Sequence, residues 1–202
     1  MHLRNFTARR WRGENASRML ALDVVEVRHE VKRGWRMSFE IERKFLVRGE
    51  GWRALAMERI PIRQAYLVTE GKASVRVRIK DKAATLTIKS RAPERRRLEL
   101  EYVIPMLEAE AAIALRRGIV IEKDRYLVPH GGAVWEVDVF AGENDGLIIA
   151  EIELRDEHQP IALPAWVGPE VTGQAQFYNS ALSTRPFSSW AHDSKLALSA
   201  DA

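Results

Sequence analysis

Charged side chains recur at every second position in several short segments between residues 40 and 153. Side chains at positions i and i+2 of a β-strand lie on the same face, so these segments would share one charged face. The face has six cationic and eight acidic residues: Lys44, Arg76, Arg78, Lys89, Lys123 and Arg125, with Glu40, Glu42, Glu99, Glu101, Glu136, Asp138, Glu151 and Glu153. Carboxylates on adjacent strands suit hard cations such as Mg²⁺ or Mn²⁺, and clustered Arg and Lys suit phosphate oxygens. Such a face could bind a divalent metal and a polyphosphate together.

Two arrangements could accommodate this charged face. Charged i, i+2 pairs on a single strand usually belong to a solvated sheet face. A solvated face normally mixes Thr, Ser, Gln and Lys, whereas this face is almost entirely Arg, Lys, Glu and Asp. The alternative is a barrel whose charged face points inward, where every ion needs a partner because an unpaired buried ion is very costly. Helices would then cover the apolar face on the outside.

The elements that position these residues are mainly strands. From residue 38 the hydrophobic pattern has mostly the period of two that is typical of β-strands. We predict eight strands, at about residues 39–47, 62–69, 74–80, 84–90, 97–104, 119–128, 133–139 and 147–155. Helices are predicted at 51–58, at 105–117 with Gly118 as the stop, and at 174–183. Eight strands in short succession favour an antiparallel barrel or sandwich over an α/β sheet.

Composition limits the function classes. The chain has 202 residues, of which 46% are hydrophobic and 30% charged, and it has no cysteine. A disulfide framework, thiolate metal sites and cysteine nucleophiles are therefore excluded, and a reducing cytosol is expected. The longest early apolar stretch, residues 19–27, is interrupted by Asp23 and Glu26, so neither a secretory signal nor a membrane span is predicted.

The basic charge of the chain lies at its N-terminus. The formal net charge is +4, but residues 1–36 alone hold nine Lys and Arg against four acidic residues. The remaining residues are close to neutral, so the main body gives no support to nucleic-acid binding. We predict that residues 1–36 are a basic leader, either disordered or upstream of a true start at Met37. Residues 37–185 are predicted to form the domain, and residues 186–202 a flexible tail.

Segments along the main body resemble those of the CYTH superfamily, the triphosphate tunnel metalloenzymes. Residues 40–44 read Glu-Ile-Glu-Arg-Lys and match the ExExK signature, which is a weak pattern when it occurs alone. Its specificity comes from the segments that follow in order: Gln64-Ala65-Tyr66-Leu67, Arg76-Val77-Arg78, Thr87-Ile88-Lys89, Glu99-Leu100-Glu101, Lys123-Asp124-Arg125-Tyr126, Trp135-Glu136-Val137-Asp138 and Glu151-Ile152-Glu153-Leu154. The resemblance covers about residues 37–185. Ala65 stands where members often have glycine.

The resemblance implies a fold, a reaction and a set of residue roles. The implied fold is mainly β (α+β): an eight-stranded antiparallel β-barrel tunnel with a charged lumen and helices packed outside. The implied metal ligands are Glu40, Glu42, Glu151 and Glu153, for Mg²⁺ or Mn²⁺. The implied phosphate clamp is Arg76, Arg78, Lys89, Lys123 and Arg125, joined by Lys44. Asp138, together with Glu136, resembles the carboxylates near a second metal and the attacking water. Glu99 and Glu101 are further lumen residues, and Tyr178-Asn179 resembles a helix that gates one mouth.

Four functions stay open at this stage. The leading one is metal-dependent hydrolysis of inorganic tripolyphosphate to pyrophosphate and phosphate, by a cytoplasmic monomer or homodimer without nucleic-acid or membrane partners. The enzymatic alternatives are a class IV-type adenylate cyclase and a thiamine triphosphatase. The non-enzymatic alternative is a module that binds polyphosphate or nucleotide without turnover. Other catalytic motifs do not fit, because the five histidines are scattered and neither HExxH, a P-loop nor G-x-S-x-G occurs.

Overall fold

The computed structural model describes residues 41–90, 99–156 and 158–191 of the chain. The described strands are β1 (Ile41–Val47), β2 (Glu58–Val68), β3 (Ala73–Lys80), β4 (Ala83–Ser90), β5 (Glu99–Ile104), β6 (Arg117–His130), β7 (Ala133–Ala141), β8 (Ile148–Leu154) and β9 (Val167–Glu170). The helices are α1 (Met106–Ala114) and α2 (Asn179–Leu182). Single 3₁₀ turns are formed by Arg53–Leu55, Gly142–Asn144, Ala175–Phe177 and Phe187–Ser189. The prediction of a mainly β fold is confirmed.

All nine strands belong to one antiparallel sheet with the order β5-β4-β3-β2-β6-β7-β8-β1-β9. The centre of this order joins β2 to β6, and β1 reaches the far side by pairing with β8. Within the described residues, backbone hydrogen bonds do not join β5 to β9, so they do not close the sheet into the predicted barrel. The strands nevertheless share one polar face, which is the face that forms the site.

Two tight hairpins fix the register of neighbouring strands. Gly131 and Gly132 connect β6 to β7, and both have positive φ, +58° and +78°. A two-residue turn with positive φ at both positions matches the right-handed twist of the strands, and glycine adopts it without a steric penalty. Asp81, with φ +51°, begins the matching turn between β3 and β4. These turns fix the registers that set Arg125 opposite Asp138 and Arg76 opposite Thr87.

Helix α1 covers the outer face of β2, β3 and β4. Its buried residues Ala109 and Ile113 pack with Val77 and Ile79 of β3 and Ala65 of β2. Val77 and Ile79 alternate with Arg76 and Arg78, so the same strand is apolar toward the helix and cationic on its other side. The helix therefore covers the apolar face of these strands, opposite the face that carries Arg76 and Arg78.

Aromatic side chains form the rest of the apolar core. Trp135 of β7 is fully buried and packs edge-on against Trp166, with ring centroids 5.7 Å apart. Phe45 of β1 lies 5.6 Å from the same Trp135 ring. A second cluster packs Phe177, just before α2, and Leu182 of α2 against Phe140 of β7, Ile121 of β6 and Leu46 of β1. These clusters fix α2 and strand β1 relative to the sheet.

Four sequence-based predictions of elements need correction. The helix expected at 174–183 is a 3₁₀ turn at residues 175–177 followed by the four-residue helix α2. Strand β9 was not predicted, and the helix expected at 51–58 is only the 3₁₀ turn at residues 53–55. Gly118 does not end a helix: α1 ends at Ala114, and Gly118 lies inside β6 with φ +72°. A Cβ atom at Gly118 would lie 2.0 Å from the Ser183 carbonyl oxygen, because the chain after α2 packs directly against the β6 backbone. A side chain at position 118 would collide with the Ser183 backbone, which explains why this residue is glycine.

The packed domain extends beyond the predicted end at residue 185. Trp190 packs edge-on against Phe177 and Phe187, with ring centroids 5.4 and 5.2 Å apart. The backbone N–H of Phe187 donates to Asn144 Oδ1 at 2.8 Å. These contacts pack residues 186–190, the first part of the predicted tail, against the core, and residues 192–202 lie outside the described residues. The predicted leader, residues 1–36, lies outside the described residues. In the described part of the chain, no helix is long and apolar enough to cross a membrane.

Candidate active site

A cavity of about 690 Å³ lies on the polar face of the sheet. Its walls come from strands β1 to β8 and from helix α2. Most of the lining side chains are charged, and the others include polar neutral groups: Glu42, Lys44, Gln64, Tyr66, Thr69, Ser74, Arg76, Arg78, Lys80, Thr87, Lys89, Ser90, Glu99, Lys123, Arg125, Glu136, Glu151, Glu153, Tyr178, Asn179 and Ser180. The volume suits a ligand the size of a short polyphosphate or a nucleotide.

Strands β1 and β8 place the carboxylates of the cavity next to one another. In the antiparallel register, Glu42 lies directly opposite Glu153, and Lys44 lies opposite Glu151. The ammonium of Lys44 pairs with Glu151 and also with Glu42, whose Oε1 lies 3.1 Å from Lys44 Nζ. Like charges directly opposite one another destabilise a strand pair. The contact between Lys44 and Glu42 offsets part of the repulsion between Glu42 and Glu153.

The environment of Lys44 favours its charged form. Burial disfavours the charged ammonium, but the carboxylates of Glu151 and Glu42 outweigh burial and raise the pKa of Lys44. The segment after β9 fixes the backbone of the same residue. The Lys44 N–H donates to Thr172 Oγ1 at 3.0 Å, and the Val171 N–H donates to the Lys44 carbonyl at 2.8 Å. Lys44 is therefore held as a cation in a defined position.

Strands β6 and β7 build a second charged cluster around Arg125. Its Nε and Nη2 atoms donate to the two oxygens of Asp138, both at 2.7 Å. Nη1 pairs with Glu136, and Nη2 also donates to Glu151 Oε2 at 3.0 Å. Lys123 pairs with Asp138 from the other side. Arg125 therefore connects the β7 carboxylates Glu136 and Asp138 to Glu151 of β8.

Burial and pairing shift the pKa values in this cluster. Burial favours the protonated form of Asp138, but the cations Lys123 and Arg125 outweigh burial and lower the pKa of Asp138 to about 2. Burial lowers the pKa of Lys123, although Asp138 favours its charged form. Burial also opposes the charge of Arg125, but Asp138, Glu151 and Glu136 raise the pKa of Arg125. Asp138 and Arg125 are therefore ionised at neutral pH.

Strands β3, β4 and β5 form the cationic wall of the cavity. Arg78 Nη2 donates to Glu101 Oε2 at 3.2 Å, and Arg76 Nη2 donates to Thr87 Oγ1 at 3.3 Å. The Thr87 hydroxyl donates in turn to Glu101 at 3.0 Å. Burial and the neighbouring guanidinium of Arg76 lower the pKa of Arg78. The two guanidinium groups are therefore close enough to repel one another, and an anion between them would relieve that repulsion.

The structure brings most of the predicted site residues to one place. Those that line the cavity are Glu42, Lys44, Arg76, Arg78, Lys89, Glu99, Lys123, Arg125, Glu136, Glu151 and Glu153. Lys89 and Glu99 form an ion pair at 2.8 Å. Glu101 does not line the cavity, and it accepts a hydrogen bond from Arg78. Glu40, a predicted metal ligand, lies outside the described residues. Tyr178 and Asn179, predicted to gate a mouth, lie at the cavity wall.

The position of Asp138 differs from its predicted role. We expected this carboxylate near a second metal and the attacking water, yet its side chain has no exposure and does not line the cavity. Both of its oxygens accept hydrogen bonds from Arg125 and Lys123. Glu136 lies two residues away on the same face and does reach the cavity. Between the two carboxylates, only Glu136 is placed to meet a ligand or water.

The sequence analysis assigned no role to three neutral polar residues of the cavity, Gln64, Tyr66 and Thr87. Gln64 and Tyr66 share a face of β2, and Thr87 shares a face of β4 with Lys89. The two β2 residues lie in the Gln64-Ala65-Tyr66-Leu67 segment, where the period of two could have placed them on the charged face. Because these residues carry no charge, the pattern of charged side chains at i and i+2 does not include them.

The chemistry of the donor set fits a divalent metal. Glu42 and Glu153 offer hard oxygen donors from directly opposed positions, where Cβ atoms are about 4.5–5.5 Å apart. Among the described residues, no group of three or more His, Asp or Glu side chains lies close enough to hold a metal ion. In this structure the Lys44 ammonium is the cation that contacts Glu42 and Glu151. Glu42 and Glu153 are therefore the opposed carboxylates that would hold a divalent ion, next to the positive charge of Lys44.

The chain is similar to proteins named inorganic triphosphatases. A family model described as the CYTH domain matches residues 38–184. The inorganic triphosphatase of Acetivibrio thermocellus is 44% identical over 152 residues, which are 75% of this chain and 97% of that protein. The inorganic triphosphatase of Nitrosomonas europaea is 34% identical over 154 residues, 71% of this chain and 96% of that protein. The crystal structure of the inorganic triphosphatase NE1496 aligns with this chain at 34% identity and a TM-score of 0.55. The alignment covers 73% of this chain and 96% of the NE1496 chain.

Proposed function

Because this chain belongs to the CYTH domain family, we propose that it is a metal-dependent triphosphatase that hydrolyses inorganic tripolyphosphate to pyrophosphate and phosphate. The observation that supports this most strongly is the composition of the cavity. Opposed carboxylates stand on β1 and β8, and a row of cations stands on β3, β4 and β6. The first set suits a metal ion and the second suits phosphate oxygens.

The cations form the substrate clamp. Arg76, Arg78, Lys89, Lys123 and Arg125 bind the phosphate oxygens, and Lys44 joins them from β1. A triphosphate carries about four negative charges near neutral pH, and phosphoryl transfer spreads charge over the equatorial and leaving oxygens. Arginine side chains that are already held by Glu101, Asp138 and Glu136 need little reorganisation when that charge develops. Catalysis then rests mostly on positioning and electrostatic stabilisation.

The carboxylates of β1 and β8 form the metal site. We assign Glu42, Glu151 and Glu153 as ligands of Mg²⁺ or Mn²⁺, together with Glu40 from the preceding residues. A bound divalent ion supplies Lewis-acid polarisation of the phosphate oxygens. The metal dependence is a property of the family, while the choice between the two ions is our proposal. If Glu42 and Glu151 held the metal, their contacts with the Lys44 ammonium would weaken, and this cation could pair with a phosphate oxygen instead.

Glu136 is the carboxylate that we assign to the attacking water. It lines the cavity, and its side chain is 37% exposed. Water attacks the terminal phosphorus, the bond to the bridging oxygen breaks, and pyrophosphate leaves with the electron pair. Glu136 is placed to accept the proton of that water, while the oxygens of Asp138 are fully occupied by Arg125 and Lys123. Asp138 instead fixes the two cations that meet the substrate.

A substrate and product panel tests this function. The full chain is incubated with tripolyphosphate, thiamine triphosphate or ATP and with Mg²⁺ or Mn²⁺, and phosphate, pyrophosphate and cyclic AMP are measured. We expect the highest kcat/KM with tripolyphosphate and one phosphate and one pyrophosphate released per turnover. Cyclic AMP and pyrophosphate from ATP would instead make the protein a cyclase. A preference for thiamine triphosphate would change the substrate, and binding without any product would make it a binding module.

The remaining partner assignments follow from the same proposal. The substrate is a small triphosphate-containing molecule, and we propose neither a nucleic-acid nor a membrane partner. We propose a cytoplasmic location because the sequence has no cysteine. We propose a monomer or a homodimer, which size-exclusion chromatography with light scattering would distinguish.

A further inference from the structure

Gln64 combines near-complete burial with a position at the cavity. It lies in β2 with 1% of its surface exposed, and its side chain lines the cavity. Its Nε2 atom is buried and finds no hydrogen-bond partner among the described residues. Most buried polar side-chain atoms in folded proteins have a partner. This amide is therefore available to a ligand in the cavity.

The neighbours of Gln64 on the same face are cationic. Arg78 of β3 lies directly opposite it, and Arg76 and Lys80 occupy the adjacent positions of the same face. On the other side, Lys123 is opposite Ile62, one step along the face from Gln64. Diagonal neighbours of this kind are about 7–8 Å apart, a separation that long side chains can bridge. Gln64 thus stands among the phosphate-binding cations that we assigned above.

We propose that the side-chain amide of Gln64 donates a hydrogen bond to a phosphate oxygen of the bound polyphosphate, as the uncharged member of the clamp. The inference rests on the proposed function and adds a specific residue to it. The ligand chemistry is that of an oxyanion held between Arg78 and Lys123, because those cations face the same space as the amide.

An uncharged donor has an advantage at this position. Arg78 and Lys123 are paired with Glu101 and Asp138, and burial favours loss of the proton from each. A further cation among them would add repulsion and would need a further carboxylate. An amide adds a donor without either cost. It is also not engaged with a carboxylate, so substrate binding need not break an existing bond to it.

The absence of a partner predicts an unusual combination of effects on substitution. A buried donor without a partner destabilises the folded protein relative to an apolar side chain of the same shape. Gln64→Met keeps the length of the side chain and removes the amide. We therefore expect Gln64→Met to retain or raise the melting temperature, while it weakens polyphosphate binding. A residue with a purely structural role would lose both together.

The experiment uses the full chain with inorganic tripolyphosphate as the probe. Binding is measured by calorimetry without metal, and kcat and KM are measured with Mg²⁺. We expect Gln64→Met to weaken binding about 10- to 100-fold, the range for one hydrogen bond to a charged acceptor, with a correspondingly higher KM. Gln64→Asn withdraws the amide by one methylene, keeps the buried polarity, and should also weaken binding. Gln176→Met, at an exposed glutamine, is the matched control and should match the wild type.

The outcomes separate this inference from the proposed function. If the wild type binds and hydrolyses tripolyphosphate while Gln64→Met and Gln64→Asn do so equally well, the amide makes no contact and only this inference is wrong. If Gln64→Met loses affinity together with a melting temperature lower by more than about 4 °C, which corresponds to at least 1 kcal/mol for a chain of this length, the residue is structural and the inference is also overturned. If the wild type neither binds nor hydrolyses tripolyphosphate, both proposals fail.

Discussion

Asp138 accepts two parallel hydrogen bonds from the guanidinium of Arg125, each of 2.7 Å, and its side chain has no contact with solvent. Such a two-pronged contact fixes the plane of a guanidinium as well as its position. Arg125 lines the cavity, so the buried carboxylate determines how this cation faces a ligand. Lys123 is held by the same carboxylate. One buried acid on β7 therefore orients two cations of the clamp.

Asp138→Asn should destabilise the fold strongly. The substitution keeps the shape of the side chain but removes the charge that compensates Lys123 and Arg125. Removing one partner of a buried ion pair costs about 3–5 kcal/mol, and we expect a loss of this size in the free energy of unfolding measured by urea titration at pH 7. Asp124→Asn is the control, since Asp124 pairs with Arg59 at the surface. If both variants are as stable as the wild type, the buried cluster does not stabilise the fold.

The buried cluster also predicts how stability depends on acid. The pKa of Asp138 is lowered to about 2 because Lys123 and Arg125 outweigh the effect of burial, whereas an unfolded aspartate has a pKa of about 3.9. A lowered folded-state pKa contributes stability above the unfolded value, and this stability is lost as the pH falls toward 2. We expect the stability difference between wild type and Asp138→Asn to shrink between pH 4 and pH 2. A difference that stays constant over this range would contradict the assignment.

Arg78→Lys should impair substrate binding and turnover together. A lysine ammonium keeps the charge but cannot form the two-pronged contact that a guanidinium makes with phosphate oxygens. We expect KM for tripolyphosphate to rise about tenfold or more and kcat to fall, because the contact is made in both the ground state and the transition state. Arg63→Lys, on the outer face of β2, is the matched control. Equal kinetics for Arg78→Lys and wild type would remove Arg78 from the clamp.

A chain that begins at Met37 should keep its activity. The CYTH match begins at residue 38, and the excess positive charge lies in residues 1–36. We expect kcat and KM within about twofold of the full chain, a range that a change remote from the site rarely exceeds. Circular dichroism checks that the shortened chain folds. Loss of solubility or of activity would show that residues 1–36 belong to the fold.

The alternation of side chains was sufficient to find the charged face. Arg76 and Arg78 are separated by Val77, and the structure places both arginines at the cavity and the valine against α1. The reason is that the period of two is a property of the extended backbone and is visible in the sequence. The helix over residues 106–114 was equally visible, because its Ala, Leu and Glu residues are strong helix formers.

Other features depend on packing that the sequence pattern does not encode. Strand β9 contains Gly168 and Pro169, which are depleted in strands, so nothing distinguished it from a loop. The alternation put Asp138 and Glu136 on one face but could not show that Asp138 is covered by Arg125 and Lys123. Likewise, Gln64 carries no charge, and its burial beside Arg78 is a property of the packed sheet that the sequence pattern does not show.

Hydrolysis of tripolyphosphate by Glu42→Gln, measured beside the wild type with excess Mg²⁺, tests the central claim most directly. The substitution keeps the shape of the side chain and removes one carboxylate of the opposed pair with Glu153. We predict that the wild type turns over only with divalent metal, and that Glu42→Gln stays folded while kcat falls at least about 100-fold, as expected when metal polarisation worth several kcal/mol is lost. Glu170→Gln, outside the cavity, should retain wild-type rates. Wild-type rates for Glu42→Gln, or full wild-type activity in excess EDTA, would contradict a metal-dependent site in this cavity.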